Sequence, residues 1–368
     1  MADRKITYSK VGDNYDTKDP IKKLAQNAAR LTANNLRKHN FEEMPDSRGE
    51  SAYVWKQGDV YMASVIEGLG TKNLVADGTR KITGKTYYDI IAYDTVATII
   101  NDLVTVGATP LVLHAYWAIE NNEWLYDEEL MKNLISGWKK ACDIAGVSWG
   151  GGETATLKQV VIKGASEFGG SAVGIIRSKK HLITDNKLRP GDRIVLIQSN
   201  GINANGISLA RAVAKKINGG YGTKLSNGKI YGEALLTKSN IYSKLVQDLQ
   251  DTNVDIHYIS NITGHGVRKI MRARPAFTYT IEKIFKPQEV FVFIQKHAGL
   301  SDYEMYETYN MGQDYAIFVS KKDVEKTLRL VQKNKFKAID AGYVEQGKRQ
   351  VIVKPKNIVY SSKTLNLR

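Results

Sequence analysis

The chain has 368 residues, 42% hydrophobic and 25% charged, a composition ordinary for a soluble protein of two or three domains. Its single cysteine, Cys142, excludes an intrachain disulfide framework and any cysteine cage for zinc or an iron–sulfur cluster. Lys+Arg 53 against Asp+Glu 38 leaves a net charge of +15, which suits nucleic acid, an anionic surface or phosphorylated metabolites alike.

The opening residues, MADRKITYSKVGDNYDTKDP, have no apolar core of signal-peptide type. The most apolar stretch, 90–119, is interrupted by Asp94, Asn101, Asp102 and Pro110, so no membrane span is expected. The default expectation is a cytoplasmic protein.

One amphipathic segment, 21–36, lies in the polar N-terminal region, and strand-like runs follow at 53–54 and 60–66. The second run enters Glu67-Gly68-Leu69-Gly70-Thr71-Lys72. Two glycines let backbone approach a ligand closely. Thr71 and Lys72 offer a hydroxyl and a cation to phosphate oxygens, and Glu67 offers a carboxylate to a metal; the plain alternative is a strand-ending turn. Gly78 and Gly84-Lys85-Thr86 nearly spell a P-loop, but five residues separate the glycines where four are required, and YYDII follows. That segment reads as an exposed basic loop.

A helix is predicted over 94–106, closed by Gly107 and Pro110. At roughly 100° per residue, Asp94, Thr98, Asn101, Asp102 and Thr105 share one narrow face. That face holds carboxylates, an amide and hydroxyls but no cation. It can supply hard oxygen ligands for Mg²⁺, or it can hydrogen-bond to neighbouring elements. The run 111–117 reads as a buried strand. Residues 127–145 read as a helix with Leu130, Leu134, Trp138, Ala141 and Ala145 on one stripe and Gly146 beyond its end. Gly150-Gly151-Gly152-Glu153-Thr154 is expected to be a turn: either a loose one, or one whose N–H groups meet a ligand beside Glu153. A strand is expected over 169–177.

The polar segment 178–192 is the best domain boundary, dividing the chain into halves 1–178 and 179–368. The second half begins with a strand (193–198), the loop Ser199-Asn200-Gly201-Ile202-Asn203-Ala204-Asn205-Gly206 and a helix (207–217). A helix N-terminus there would suit a phosphate, with Asn205 or Ser208 as simple N-caps in the plain reading. Thr263-Gly264-His265-Gly266 is a second compact glycine turn. Further helices (239–250, 324–334) and strands (289–294, 315–319, 351–353) complete an α/β, or mixed α+β, pattern.

The segments EGLGTK, Asn101-Asp102-Leu103 with GATPL, GGETA, SNGINANGISLAR, NITGHG and EMYETYNMG occur in the order found in phosphoribosylformylglycinamidine cyclo-ligases, also called aminoimidazole ribonucleotide synthetases. The chain resembles that family from about Tyr8 to Val353. The first five segments are also similar to a wider ATP-using superfamily: selenophosphate synthetase, thiamine-monophosphate kinase, a hydrogenase maturation protein and formylglycinamide ribonucleotide amidotransferase. EMYETYNMG is closer to the cyclo-ligase itself. Three positions depart from the family pattern: Glu67 stands for its aspartate, Asn203 for its usual histidine, and His265 for a glycine.

The resemblance implies two α/β domains, the N-terminal one binding ATP and Mg²⁺ and forming homodimers through its sheet, the C-terminal one binding substrate. It implies ATP-driven activation of the formyl oxygen of formylglycinamidine ribonucleotide, followed by ring closure. By the same resemblance Glu67, Asp102 and Asp94 would hold Mg²⁺. Gly68, Gly70, Thr71, Lys72, Gly151, Gly152, Glu153 and Thr154 would hold ATP. Ser199, Asn200, Gly201, Asn205, Gly206, Thr263, Gly264 and Gly266 would hold the phosphorylated substrate. Lys72, Asp94, Asn203 and His265 are the expected catalytic groups, with His265 a candidate to replace the histidine missing at 203. The competing readings are another phosphotransferase of the superfamily, a degenerate nucleotide-binding homologue and a basic nucleic-acid binder. The absence of a reactive cysteine before Glu67, and the ending Asn366-Leu367-Arg368, disfavour the selenophosphate and hydrogenase-maturation readings. Scattered lysines and arginines without interleaved aromatics disfavour nucleic acid. No membrane partner is expected.

Overall fold

The computed structural model describes residues 5–7, 9–12 and 15–365; Tyr8, where the resemblance begins, and the terminal Asn366, Leu367 and Arg368 lie outside them. The N-terminal half contains β1 (Glu42–Glu43), β2 (Tyr53–Gln57), β3 (Val60–Gly68), β4 (Thr109–Ile119), β5 (Ser148–Thr156) and β6 (Ser166–Ile176). They form one sheet in the order β1-β2-β3-β6-β4-β5. Its helices are α1 (Tyr15–Leu31), α2 (Asn34–Arg37), α3 (Lys72–Thr83), α4 (Tyr88–Leu103) and α5 (Glu128–Ala145).

Period-two alternation sets the sheet's two faces. In β3, Tyr61, Ala63 and Val65 are buried, while Met62, Ser64 and Ile66 point the other way. α4 lies on the inward side of β3 and β6, and α5 packs on α4. Val96, Ile99, Ile100 and Leu103 are fully buried there, as is Trp138 of α5. The opposite face of the sheet is uncovered, and Ile66 and Tyr116 are exposed on it.

The second half contains β7 (Arg193–Gln198), β8 (Ile256–Asn261), β9 (Phe277–Ile281), β10 (Gln313–Val319), β11 (Ala338–Gln346), β12 (Gln350–Val353) and β13 (Ile358–Ser361). They form a sheet in the order β13-β12-β9-β11-β7-β10-β8, antiparallel except where β12 runs parallel to β9. Its helices are α6 (Ile207–Lys216), α7 (Tyr231–Leu235), α8 (Ser243–Asp251), α9 (Glu289–Ala298), α10 (Asp302–Thr308) and α11 (Val324–Lys333). Among the described residues no helix is long and apolar enough to cross a membrane.

Three local expectations are corrected. Residues 289–294 are not a strand but the start of α9, whose buried Val290, Phe291, Ile294 and Ala298 fall at helical spacing. Gly78 lies within α3, which ends at the left-handed Gly84, so 78–86 is not one basic loop. The glycine run 150–152 is not a turn: it lies inside β5, the edge strand paired parallel to β4. A Cβ at Gly152 would stand 2.0 Å from the Ala115 carbonyl oxygen, so the close approach of the two strands requires glycine there.

Candidate active site

α4 carries the seam between the halves. Asp94, fully buried, pairs with the equally buried Lys72 and accepts the Ser239 N–H at 2.8 Å. Lys72 Nζ also donates to the carbonyls of Asn203 at 2.7 Å and Thr237 at 3.3 Å. Two helical turns further along, Asn101 donates to Asn240 O at 2.8 Å and accepts from Tyr242 N at 3.0 Å. Asp102 accepts from Asn261 Nδ2 at 2.7 Å. The cation-free face of the helix is therefore largely a hydrogen-bonded domain interface. Each polar group on it finds a partner, as burial requires.

Where that seam opens, a cavity of ≈ 190 Å³ forms. Glu67, Gly68, Thr98 and Asp102 line it from the N-terminal half. Ala204, Asn205, Thr263, Gly264, His265, Lys269 and Arg272 line it from the C-terminal half, and Lys22 of α1 closes one side. Burial first, and the nearby Asp102 charge second, push the Glu67 carboxyl up to about 7. The neighbouring Asp102 carboxylate thus favours the protonated form of Glu67. Two carboxyl groups that line one cavity offer hard oxygen ligands to a cation. The pair fits Mg²⁺, which characteristically takes one or two carboxylates and completes its shell with phosphate oxygens and water. No cluster of three or more His, Cys, Asp or Glu that could form an all-protein metal cage exists among the described residues.

The opposite wall is basic. Lys269 donates to Thr263 Oγ1 at 2.5 Å, and burial pulls its ammonium down to about 8 against the attraction of Asp102. Arg272 donates from Nη1 to Ser51 Oγ at 2.6 Å, while its buried Nε–H has no hydrogen-bond acceptor among the described residues. His265 lies with Nε2 3.7 Å from Asp19 Oδ2 of α1. Burial holds its imidazole down to about 4, so it is neutral at neutral pH and acts as a hydrogen-bonding group.

The structure divides the expected site residues. Glu67, Gly68, Asp102, Asn205, Thr263, Gly264 and His265 meet at the cavity. Lys72 and Asp94 do not line it; they clamp the domains together, fully shielded. Gly70 and Thr71 follow β3 in the loop leading to α3, and the buried Thr71 Oγ1 has no partner among the described residues. Ser199, Asn200 and Gly201 pin their own loop: Ser199 Oγ donates to Asn310 Oδ1, Asn200 Nδ2 to Asn240 Oδ1, and Gly201 O accepts from Asn310. Gly206 starts α6 in the left-handed region, with Tyr309 donating to its carbonyl at 2.9 Å. Gly266 lies against the Tyr306 carbonyl oxygen, which a Cβ would approach to 2.1 Å. Gly151, Gly152, Glu153 and Thr154 sit exposed on the edge strand, away from the cavity.

Asn203 is also outside the cavity lining. It adopts a left-handed conformation (φ 58) and donates to Asp314 Oδ1 at 2.5 Å. Asp314 also accepts from Tyr242 at 2.5 Å, and burial raises its carboxyl to about 6. Asn203 and His265 thus hold different partners. The sequence reading missed Lys22, Lys269 and Arg272. The signal for the last two was basic residues at one-turn spacing just after a glycine turn.

The family model for the AIR synthase related protein N-terminal domain matches residues 49–176, and that for the C-terminal domain matches residues 189–354. A phosphoribosylformylglycinamidine cyclo-ligase from Methanococcus maripaludis is 30% identical over 341 residues, covering 92% of each chain. Among solved structures, the fold is similar to a chain of a HypE–HypF complex, with TM-score 0.61 and 18% identity over 85% of this chain and 92% of that one. It is also similar to AaThiL complexed with AMPPCP and TMP, with TM-score 0.57 and 12% identity over 84% and 89%. Two domain matches that together span most of the chain, and a relative aligned nearly end to end, establish that the chain belongs to the AIR synthase family, alongside the phosphoribosylformylglycinamidine cyclo-ligases.

Proposed function

We propose that the chain uses ATP to close the imidazole ring of 5-aminoimidazole ribonucleotide from formylglycinamidine ribonucleotide. The observation that carries this reading is the cavity at the domain seam, where the Glu67–Asp102 carboxyl pair faces a wall of Lys269, Arg272 and the Thr263–Gly264 turn. A phosphoryl donor and a phosphorylated acceptor need such opposed surroundings, because positioning and charge neutralisation do most of the work of phosphoryl transfer.

In this mechanism the formyl oxygen takes the γ-phosphoryl group of ATP, and ADP departs. The ribosyl nitrogen then attacks the formyl carbon, the carbon–oxygen bond breaks, and inorganic phosphate leaves as the ring closes. Glu67 and Asp102 would hold Mg²⁺, which when bound neutralises phosphate charge. Gly68, Gly70 and Thr71 would border the ATP phosphates. Lys22, Lys269 and the free Nε–H of Arg272 would attract the anionic substrate, with Asn205, Thr263 and neutral His265 as hydrogen-bonding groups. Lys72 and Asp94 act at a distance from the reacting atoms, by fixing the seam.

The uncovered face of the N-terminal sheet supports a homodimer. Gly151, Gly152, Glu153 and Thr154 remain nucleotide contacts in this proposal only where a partner subunit brings that edge strand to a neighbouring site. The decisive experiment is an ADP-release assay with formylglycinamidine ribonucleotide, coupled to detection of the aminoimidazole product. Asp102→Asn should fold normally and lose at least about 100-fold in turnover, more than removal of an outer-shell metal partner. Wild-type rates in this variant, or no aminoimidazole product from the parent chain, would refute the assignment.

A further inference from the structure

α1 borders two cavities. Lys22 reaches the first, at the domain seam, while Lys23 and Arg30 line a second of ≈ 480 Å³ that the proposed reaction does not use. Arg48, Arg274 and Arg349 complete the second cavity's basic lining. These five cations come from four separate segments: α1, the stretch after β1, the approach to β9 and the turn between β11 and β12. Lys23 and Arg30 are seven residues apart, two helical turns, and so share a face.

The carboxylates nearby neutralise Arg48 and Arg274 but leave Arg30 and Arg349 without an acidic partner among the described residues. Glu43 pairs with Arg48, and Asp46 and Asp185 pair with Arg274. The Arg30 guanidinium has no hydrogen bond or ion pair among the described residues. Arg349 donates from Nη2 to the Leu365 carbonyl at 2.9 Å and meets no carboxylate among the described residues. Like charges gathered around one concavity repel unless an anion is taken between them. Guanidinium groups are suited to such an anion because their planar forks match phosphate oxygens. The volume is that of a small-molecule site. Its lining contains no aromatic ring, so it offers no platform on which a base could stack.

We propose that this cavity is a second anion site, separate from the active site, that takes a compact polyphosphate: a free inorganic chain or the phosphate tail of a nucleotide. Because α1 also brings Asp19 and Lys22 to the first cavity, an anion held between Arg30 and Arg349 would tether the same helix that borders the active site.

The test is calorimetric titration of the full chain with sodium tripolyphosphate at fixed ionic strength. Two sites per chain are expected. Arg30→Ala/Arg349→Ala should weaken one of them by about 10-fold or more, as loss of charge-assisted contacts demands, and Lys269→Ala/Arg272→Ala should weaken the other. Arg30→Glu, a single change at an exposed position, should abolish the same site that the first pair weakens, guarding against a folding defect. ATP binding as tightly as tripolyphosphate would identify a nucleotide's tail as a competent ligand, and tighter binding of tripolyphosphate would favour the free chain; both support the site. Binding indifferent to Arg30 and Arg349, at one site or two, or preferential binding of a single-stranded oligonucleotide would overturn the proposal.

Discussion

Replacing Lys72 by methionine tests whether the lysine of EGLGTK serves the seam or the chemistry. Lys72→Met keeps most of the side chain's unbranched length and removes its charge. Asp94 would remain buried with the Ser239 N–H as its surviving donor, and the carbonyls of Asn203 and Thr237 would each lose one. Removing one partner of a buried ion pair costs about 3–5 kcal/mol, because the other charge is stranded. For a domain of this size each kcal/mol is worth about 2–4 °C in Tm, so the first unfolding transition should fall by about 6–20 °C. Lys72→Met/Asp94→Leu strands no charge and should be less destabilised than Lys72→Met alone. Urea unfolding followed by both tryptophan fluorescence and circular dichroism would measure this, two probes being needed because the halves have separate sheets. A Lys72→Met protein within about 1 kcal/mol of the parent, yet unable to use ATP, would refute the clamp and return Lys72 to the reacting atoms.

Three further expectations concern other parts of the molecule. Burial disfavours a charged His257, but Asp192 Oδ1 at 2.8 Å and Asp255 Oδ2 at 3.2 Å outweigh it and raise its pKa. Its stabilising contribution is therefore complete below the unfolded-state value of about 6.5 and is lost as pH rises through the higher folded value. His257→Gln should cost more stability at pH 5.5 than at pH 8.5, and an equal or reversed loss in urea midpoints would contradict the pairing. Gly206→Ala would force a φ of 73 on alanine and put a Cβ 2.0 Å from the Tyr309 ring, a cost of about 2–5 kcal/mol. Gly146→Ala, left-handed but facing open space, should cost only about 1–2 kcal/mol; equal losses would remove Tyr309 from the explanation. Ile66→Glu, on the uncovered sheet face where this side chain is 79% exposed, should leave the monomer fold intact and dissociate the proposed homodimer in sedimentation velocity. A parent chain that sediments as a monomer at tens of micromolar would count against that dimer.

What the sequence made legible was periodicity. α4 and α5 were readable from their apolar stripes, and β3, β4 and β7 from short apolar runs bounded by glycine or polar residues. The meaning of the α4 polar face was not, because its partners lie far away in the chain: Asn101 meets Asn240, and Asp102 meets Asn261. One helix face proved to be a domain seam at Asp94 and Asn101 and a cavity wall at Thr98 and Asp102. α9 misled because Val-Phe-Val-Phe-Ile has strand propensity, while the decisive signals came later, Lys296 and His297 in the last turn and Gly299 as a left-handed stop. The glycine run misled for the opposite reason. Three glycines are poor strand formers, yet β5 needs Gly152 where β4 shifts register between Leu113 and Ala115 and the two backbones close up, and Gly151 holds a φ of 92.

The altered histidines follow the same logic of partners rather than positions. Asn203 occupies a left-handed backbone site that asparagine tolerates better than most residues. From there its amide serves the buried Asp314, and its carbonyl serves Lys72. One residue thus joins the backbone of the 199–206 loop to the interdomain clamp without facing the cavity. His265 faces the cavity from the opposite turn and reaches to Asp19 on α1. Exchange of function between positions 203 and 265 would require one substrate atom to reach both turns. The contacts instead divide them, Asn203 towards the clamp behind its loop and His265 towards Asp19 of α1.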